Sequence, residues 1–231
     1  MKRHFIVTVI SVFVIGSFAQ KPIKVDVGKP IFNQLWEDYQ NFKKVEEEQA
    51  SNYVGNPYRY EVDKGIIQLS SGEQIDNLIL RYNVYKDQVE IKKNDRYYVV
   101  PKDKNISKFI FADHIIVLKV FDYSGKRRLG YLESIVDESA CNQFVKHNIF
   151  LSPAKEQKPF QEAQPAEFID KKNTVYISFN DNLLNAIKKK SDFLVMIPDH
   201  NEEIENFIKK NKIKFHKPES IKELVQFYNT L

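Results

Sequence analysis

The chain has 231 residues, with 35 Lys and Arg against 31 Asp and Glu, a formal charge of +4, and 42% hydrophobic residues. That length supplies one sizeable core, or one domain with a small appendage, and a charge this close to balance offers no concentrated basic face for nucleic acid. Cys141 is the single cysteine, which excludes an internal disulfide, so the fold must rest on its core.

Lys2-Arg3-His4 gives a basic start, Phe5 to Phe18 an apolar run, and Ser17-Phe18-Ala19 a closing site before Gln20. This pattern predicts a secretory signal peptide over residues 1–19. The run falls short of the roughly 20 apolar residues that cross a bilayer. No later stretch approaches that length, so no transmembrane segment is expected after signal cleavage. Loss of Lys2 and Arg3 takes the charge from +4 to +2. Gln20 stands where a lipoprotein would need cysteine, so no N-terminal lipid anchor is expected.

Residues 20–55 read as a lead-in with Pro22, Gly28 and Pro30, then an amphipathic helix from Phe32 to Ala50. Phe32, Leu35, Trp36, Tyr39, Phe42 and Val45 recur there at helical spacing. Such an aromatic stripe is expected to dock on its own domain, and Trp36 and Tyr39 are the residues it would offer to a partner if presented outward.

Residues 56–152 are the organising region. Strands are predicted at Gly65 to Leu69, Ile75 to Val84, Val89 to Lys92, Tyr97 to Val100, Ile106 to Phe111, Ile115 to Phe121 and Arg128 to Val136, with a further pair around Asn142 to Leu151. Lys86-Asp87, Asn94-Asp95 and Ser124-Gly125 mark tight reversals. Strands returning about every eight to twelve residues with local turns argue for an antiparallel meander that curls or partly closes, with one face apolar and the other wet. Residues 153–173, with Pro153, Pro159 and Pro165, read as a connector. Residues 174–231 carry a strand pair and a C-terminal helical pair packed on the same domain; Ile204, Phe207 and Ile208, then Ile221, Leu224, Val225 and Tyr228, lie three or four apart. The fold class expected is α+β.

Few chemistries find support. His114, His147, His200 and His216 show no paired metal spacing, and Asp113-His114 and Asp199-His200 fit turns and caps, so no metal is expected. Cys141 and His147 lie six apart, about 20 Å along a strand at 3.3 Å per residue; Cys141 reads as a small buried residue. Asp137-Glu138 are the best-placed acids for glycan hydrolysis, but carboxylates are too abundant to single them out. Seven glycines form no phosphate loop or dinucleotide fingerprint, so no cofactor is expected. Tyrosines crowd the sheet region, and Tyr82, Tyr85, Tyr97 and Tyr98 are the candidate ligand contacts, since each rigid ring carries a polar tip.

The signal-like start ending before Gln20, the strand Leu80-Arg81-Tyr82-Asn83-Val84-Tyr85, and a tail containing Ile197-Pro198-Asp199-His200, Phe207-Ile208-Lys209-Lys210-Asn211-Lys212-Ile213 and Leu224-Val225-Gln226-Phe227-Tyr228-Asn229 are similar to a group of uncharacterised exported proteins of the Bacteroidota. The resemblance implies a Gram-negative envelope, periplasmic or at the outer membrane, and carries no catalytic residues with it. The expected function is non-catalytic binding of a lipid, glycan or envelope protein on the sheet. The competing expectation is a hydrolase acting on a cell-wall or glycan substrate.

Overall fold

The structure, a computed structural model, describes residues 42–45, 53–138, 140–157, 159, 162–180 and 182–231. The alternating segments become strands β1 (Lys43–Lys44), β2 (Tyr53–Val54), β3 (Tyr58–Leu69), β4 (Gln74–Asn83), β5 (Gln88–Lys93), β6 (Arg96–Val99), β7 (Ile106–Phe111), β8 (His114–Tyr123), β9 (Lys126–Val136), β10 (Cys141–Ser152), β11 (Ala166–Phe179) and β12 (Asn185–Ile187). Helices α1 (Lys190–Met196), α2 (Asn201–Lys210) and α3 (Pro218–Tyr228) follow. The strands form one 12-stranded sheet in the order β1-β6-β5-β4-β3-β7-β8-β9-β10-β11-β12, with β2 added beside β11. The sheet is not closed, and the fold is α+β.

Local turn chemistry sets the hairpins. Asn94 and Asp95 take φ of 48° and 57°, and Ser124 and Gly125 take 54° and 78°, the left-handed pair that a two-residue hairpin needs to match strand twist. Asn tolerates this conformation better than most residues, which is why the β5–β6 reversal forms without glycine.

Three expectations are corrected. The meander breaks after β6: β7 returns to pair with β3, Ile67 opposite Phe109, instead of continuing beside β6. Pro101, just beyond the four-residue β6, has no N–H for a ladder, and Lys43 and Lys44 occupy the other edge of β6 opposite Val99 and Tyr98. Those same residues correct the predicted helix 32–50 where it can be checked, because 43–44 are extended; residues 32–41 and 46–50, with Trp36 and Tyr39, lie outside the described residues. Asn142 to Leu151 is part of one long strand, β10, and β11 begins at Ala166, directly after the last of the prolines predicted to keep residues 153–173 irregular.

Three buried clusters hold the structure. Ile67, Leu80, Tyr82, Ile91, Phe109, Phe111, Ile116 and Tyr131 form the core of the first half. Cys141, Val145, Val175, Ile177 and Phe179 pack under Phe193, Ile204, Ile221 and Leu224 of the helices. Phe207 of α2 stacks on Phe227 of α3 with centroids 4.1 Å apart, so the short helices gain the tertiary cover they need. Just past α3, the Asn229 amide accepts from Cys141 N at 2.8 Å and donates to Cys141 O at 2.9 Å, fastening the helical end to the start of β10. A smaller cluster of Val117, Phe121, Leu132, Phe144, Tyr176 and Leu184 lies under β8–β12.

One polar clamp ties the β4–β5 turn to β9. β9 and β10 pair only from Glu133 to Val136 against Gln143 to Val145, and the β4–β5 turn reaches the backbone beyond that point. Asp87, at φ 50° in the turn, accepts from Tyr131 N at 3.2 Å, from Lys102 Nζ at 2.5 Å and from Lys146 Nζ. Lys146 Nζ also donates to Tyr131 O at 3.0 Å. Burial alone would raise the Asp87 pKa, but Lys146 and Lys102 outweigh it and hold the carboxyl below its ordinary value. The backbone N–H and C=O of Tyr131, on the edge of β9 that β10 leaves unpaired, are thus satisfied by side chains instead of a neighbouring strand.

Candidate functional site

The four tyrosines predicted to bind ligand do not share a surface. Tyr82 is fully buried, and its hydroxyl donates to Tyr131 O at 3.3 Å. Leu80, Ile91 and Tyr98 are in register across β4, β5 and β6, so Tyr98 faces the same core as Tyr82. Tyr97, one residue away, faces the opposite side. There the Arg81 guanidinium lies 3.4 Å from the Tyr97 ring and 4.3 Å from that of Tyr58, while Arg81 Nε donates to the fully buried Glu90 at 2.6 Å. The Tyr97 ring is therefore part of the cover over a buried ion pair. Tyr85, in the β4–β5 turn, sets its ring at a steep angle to Phe168, with centroids 5.3 Å apart.

A groove is found elsewhere, between the β8–β9 hairpin and the segment 182–184 that leads into β12. Phe121 and Leu184 form a parallel bridge, and Asp122 N donates to Leu184 O at 2.8 Å. On one side of this bridge is a groove of about 580 Å³ whose lining includes Lys119, Val120, Arg127, Phe144, Ser178 and Leu184. The Lys119 ammonium stands 5.5 Å from the Phe144 ring centroid, so the groove combines an apolar floor with two cations. A second groove of about 670 Å³, beyond the bridge, is lined by Tyr123, Tyr176, Lys188 and Lys189 among others.

The densest gathering of titratable groups is a third place. Glu133 of β9 lies between two imidazoles: Oε1 is 2.6 Å from His114 Nδ1 of β8, and Oε2 is 2.7 Å from His147 Nε2 of β10. The Tyr60 hydroxyl of β3 donates to Glu133 Oε2 at 3.0 Å, and its ring stacks on His114 at 4.1 Å. Burial pushes the Glu133 pKa up, but the hydrogen bonds from His147, His114 and Tyr60 more than offset it and bring the carboxyl down to about 2. An ionised carboxylate donates nothing, so both imidazole nitrogens facing it carry their protons. Burial and the Glu133 charge push the Tyr60 phenol up to about 12. His147 and Glu133 are 5% and 7% exposed, whereas the His114 side chain is 45% exposed. His147 Nδ1 is buried with no hydrogen-bond partner among the described residues.

No family model matches this sequence, and no curated protein or solved structure matches it. Its chemistry has to be read from its own residues.

Sequence reasoning placed His114 in a turn and gave Glu133 and His147 no joint role. A signal was present: Glu133 shares its strand parity with Tyr131, and His147 with Val145, so each puts a polar group on the side that alternation assigns to the core. That the two meet depends on the β9–β10 register, which alternation alone does not give. Cys141 is buried, as expected, and burial with the Glu138 charge pushes its thiol up to about 12, which leaves it unreactive. Among the described residues no three His, Cys, Asp or Glu side chains are placed to hold a metal ion, and no helix is long and apolar enough to cross a membrane.

Proposed function

We propose that this is a non-catalytic, exported binding protein of a bacterial envelope, which holds a ligand with an anionic head and an apolar body in the Lys119–Phe144–Leu184 groove. The observation that carries this reading is the pairing of a Phe144 and Leu184 floor with the cations of Lys119 and Arg127 in a groove of about 580 Å³, the size range of small-molecule sites. The signal-like N-terminus and the similarity to exported Bacteroidota proteins support the location. The test is to purify the protein from its own envelope and identify bound small molecules by native and denaturing mass spectrometry. One anionic amphiphile near stoichiometry, lost in a Lys119→Glu/Arg127→Glu variant that keeps the wild-type melting curve, is the expected result. A preparation free of small molecules would count against the reading.

A specific observation favours a second reading, hydrolysis. Glu133 fixes the Nδ1–H of the half-exposed His114, the arrangement that orients an imidazole to use its other nitrogen as a base toward water. On that reading His114 is the base and Glu133 and Tyr60 position it. Replacement of His114 by Gln would abolish any turnover of a glycan or ester substrate; turnover that survives it would eliminate this alternative.

A further inference from the structure

The distal part of the β8–β9 hairpin is an arm with little sheet around it. β7 pairs with β8 only as far as Ile116, and β10 pairs with β9 only from Glu133 onward. Beyond those points the two strands pair with each other from Val117–Leu132 out to Tyr123–Lys126, and they are held by the Phe121–Leu184 bridge, the Asp87 clamp and the packing of Val117, Phe121 and Leu132 on Phe144 and Tyr176. Apolar side chains on so open an element should face inward, yet Val120, Tyr123 and Leu129 are 46%, 48% and 51% exposed. Val120 and Leu129 are direct cross-strand partners, so their side chains touch and form one patch. Arg127 shares the patch's face of the hairpin, and Lys119, Lys126 and Arg128 flank it from the opposite face of the same two strands; all four are exposed. The one acid of the arm, Asp122, accepts from Gly125 N at 3.1 Å in the turn.

We infer that this arm docks on the surface of an anionic phospholipid bilayer. Aliphatic side chains flanked by cations fit an interface in which the Val120–Leu129 patch enters the acyl boundary while the long basic side chains reach the headgroups. Tyr123, with the Arg128 guanidinium 4.1 Å from its ring centroid, suits the headgroup level, where amphipathic rings collect. Nucleic acid is the poorer fit, because it would need a wider basic track and gains nothing from an exposed Val–Leu pair. The inference holds whether or not the neighbouring groove carries a ligand, and its test uses residues that do not line the 580 Å³ groove.

The experiment is vesicle co-flotation of the protein with phosphatidylcholine vesicles alone and with vesicles containing phosphatidylglycerol, at low and high salt. The expected result is at least tenfold stronger partitioning to the anionic vesicles at low salt, falling steeply as salt screens the arm. A Lys126→Glu/Arg128→Glu variant should lose at least tenfold of that binding, and Leu129→Glu should lose a comparable share. All three side chains are exposed, so the variants should keep the wild-type circular dichroism and melting temperature. Should one variant misfold, the other and the salt series still decide the question. Equal binding to neutral and anionic vesicles, no binding to either, or binding that ignores both variants would each overturn the inference. Capture of an acidic protein by the arm without vesicle binding would overturn it in favour of a protein partner.

Discussion

Replacing Glu133 by Gln removes the one charge on which His114, His147 and Tyr60 converge, and its cost should depend on pH in a defined direction. The folded carboxyl titrates near 2 against an ordinary 4.5, and each unit corresponds to about 1.4 kcal/mol, which sets a ceiling of about 3 kcal/mol. Half-exposure of His114 admits solvent on one side and screens that contact, so about 2 kcal/mol is the expected loss at pH 7. Because the folded pKa is depressed, this stability is fully present above pH 4.5 and disappears as pH falls toward 2. Urea unfolding of wild type and variant at pH 7 and pH 3 measures it. The wild type should be about 2 kcal/mol the more stable at pH 7, and the gap should shrink markedly at pH 3. A gap that stays constant between the two pH values would refute the reasoning, since it would mean that the carboxylate charge is not what the cluster stabilises.

Further outcomes follow from the same contacts. Arg81→Met would strand the fully buried Glu90 carboxylate and should cost about 3–5 kcal/mol, whereas an Arg81→Met/Glu90→Leu double variant should recover much of it; a double variant no better than the single one would contradict the stranded-charge account. Gly130→Ala places a Cβ 2.8 Å from Asp87 Oδ2 and 3.1 Å from Phe121 Cε1, so it should cost about 1–3 kcal/mol through the clamp, and thermal melts that match wild type would show that the turn yields freely. Asn229→Ala removes both bonds to the Cys141 peptide and should cost about 1–3 kcal/mol by leaving backbone groups unpaired; amide exchange at Cys141 that stays as slow as in wild type would speak against the clamp. Cys141 itself should resist thiol reagents in the native protein and react fully in urea, and fast native labelling would disprove its burial.

The β-rich middle of the chain was legible because its signals are local. Two-residue alternation marks β3 through β9, and Asn94-Asp95 and Ser124-Gly125 fall where left-handed φ is required. The C-terminal helices were readable for the same reason, since Ile204 and Ile208, like Ile221, Leu224 and Val225, face the core they pack on. The tyrosines mislead because a strand uses the same residue for its core, as at Tyr82, and for covering an ion pair, as at Tyr97.

Sequence alone determined most strands between Gly65 and Val136, the two C-terminal helices, that a lone thiol is buried, and that no disulfide supports the fold; each follows from short-range periodicity and composition. Tertiary structure decided that β7 returns to β3, that Asp87 crosses to the open edge of β9, and that Tyr60, His114, Glu133 and His147 meet although they come from four strands. The same holds for the arm, whose exposure depends on where β7 and β10 stop pairing. The reason is that alternation fixes which face a side chain takes, while register and strand order, set by long-range pairing, fix what that face meets.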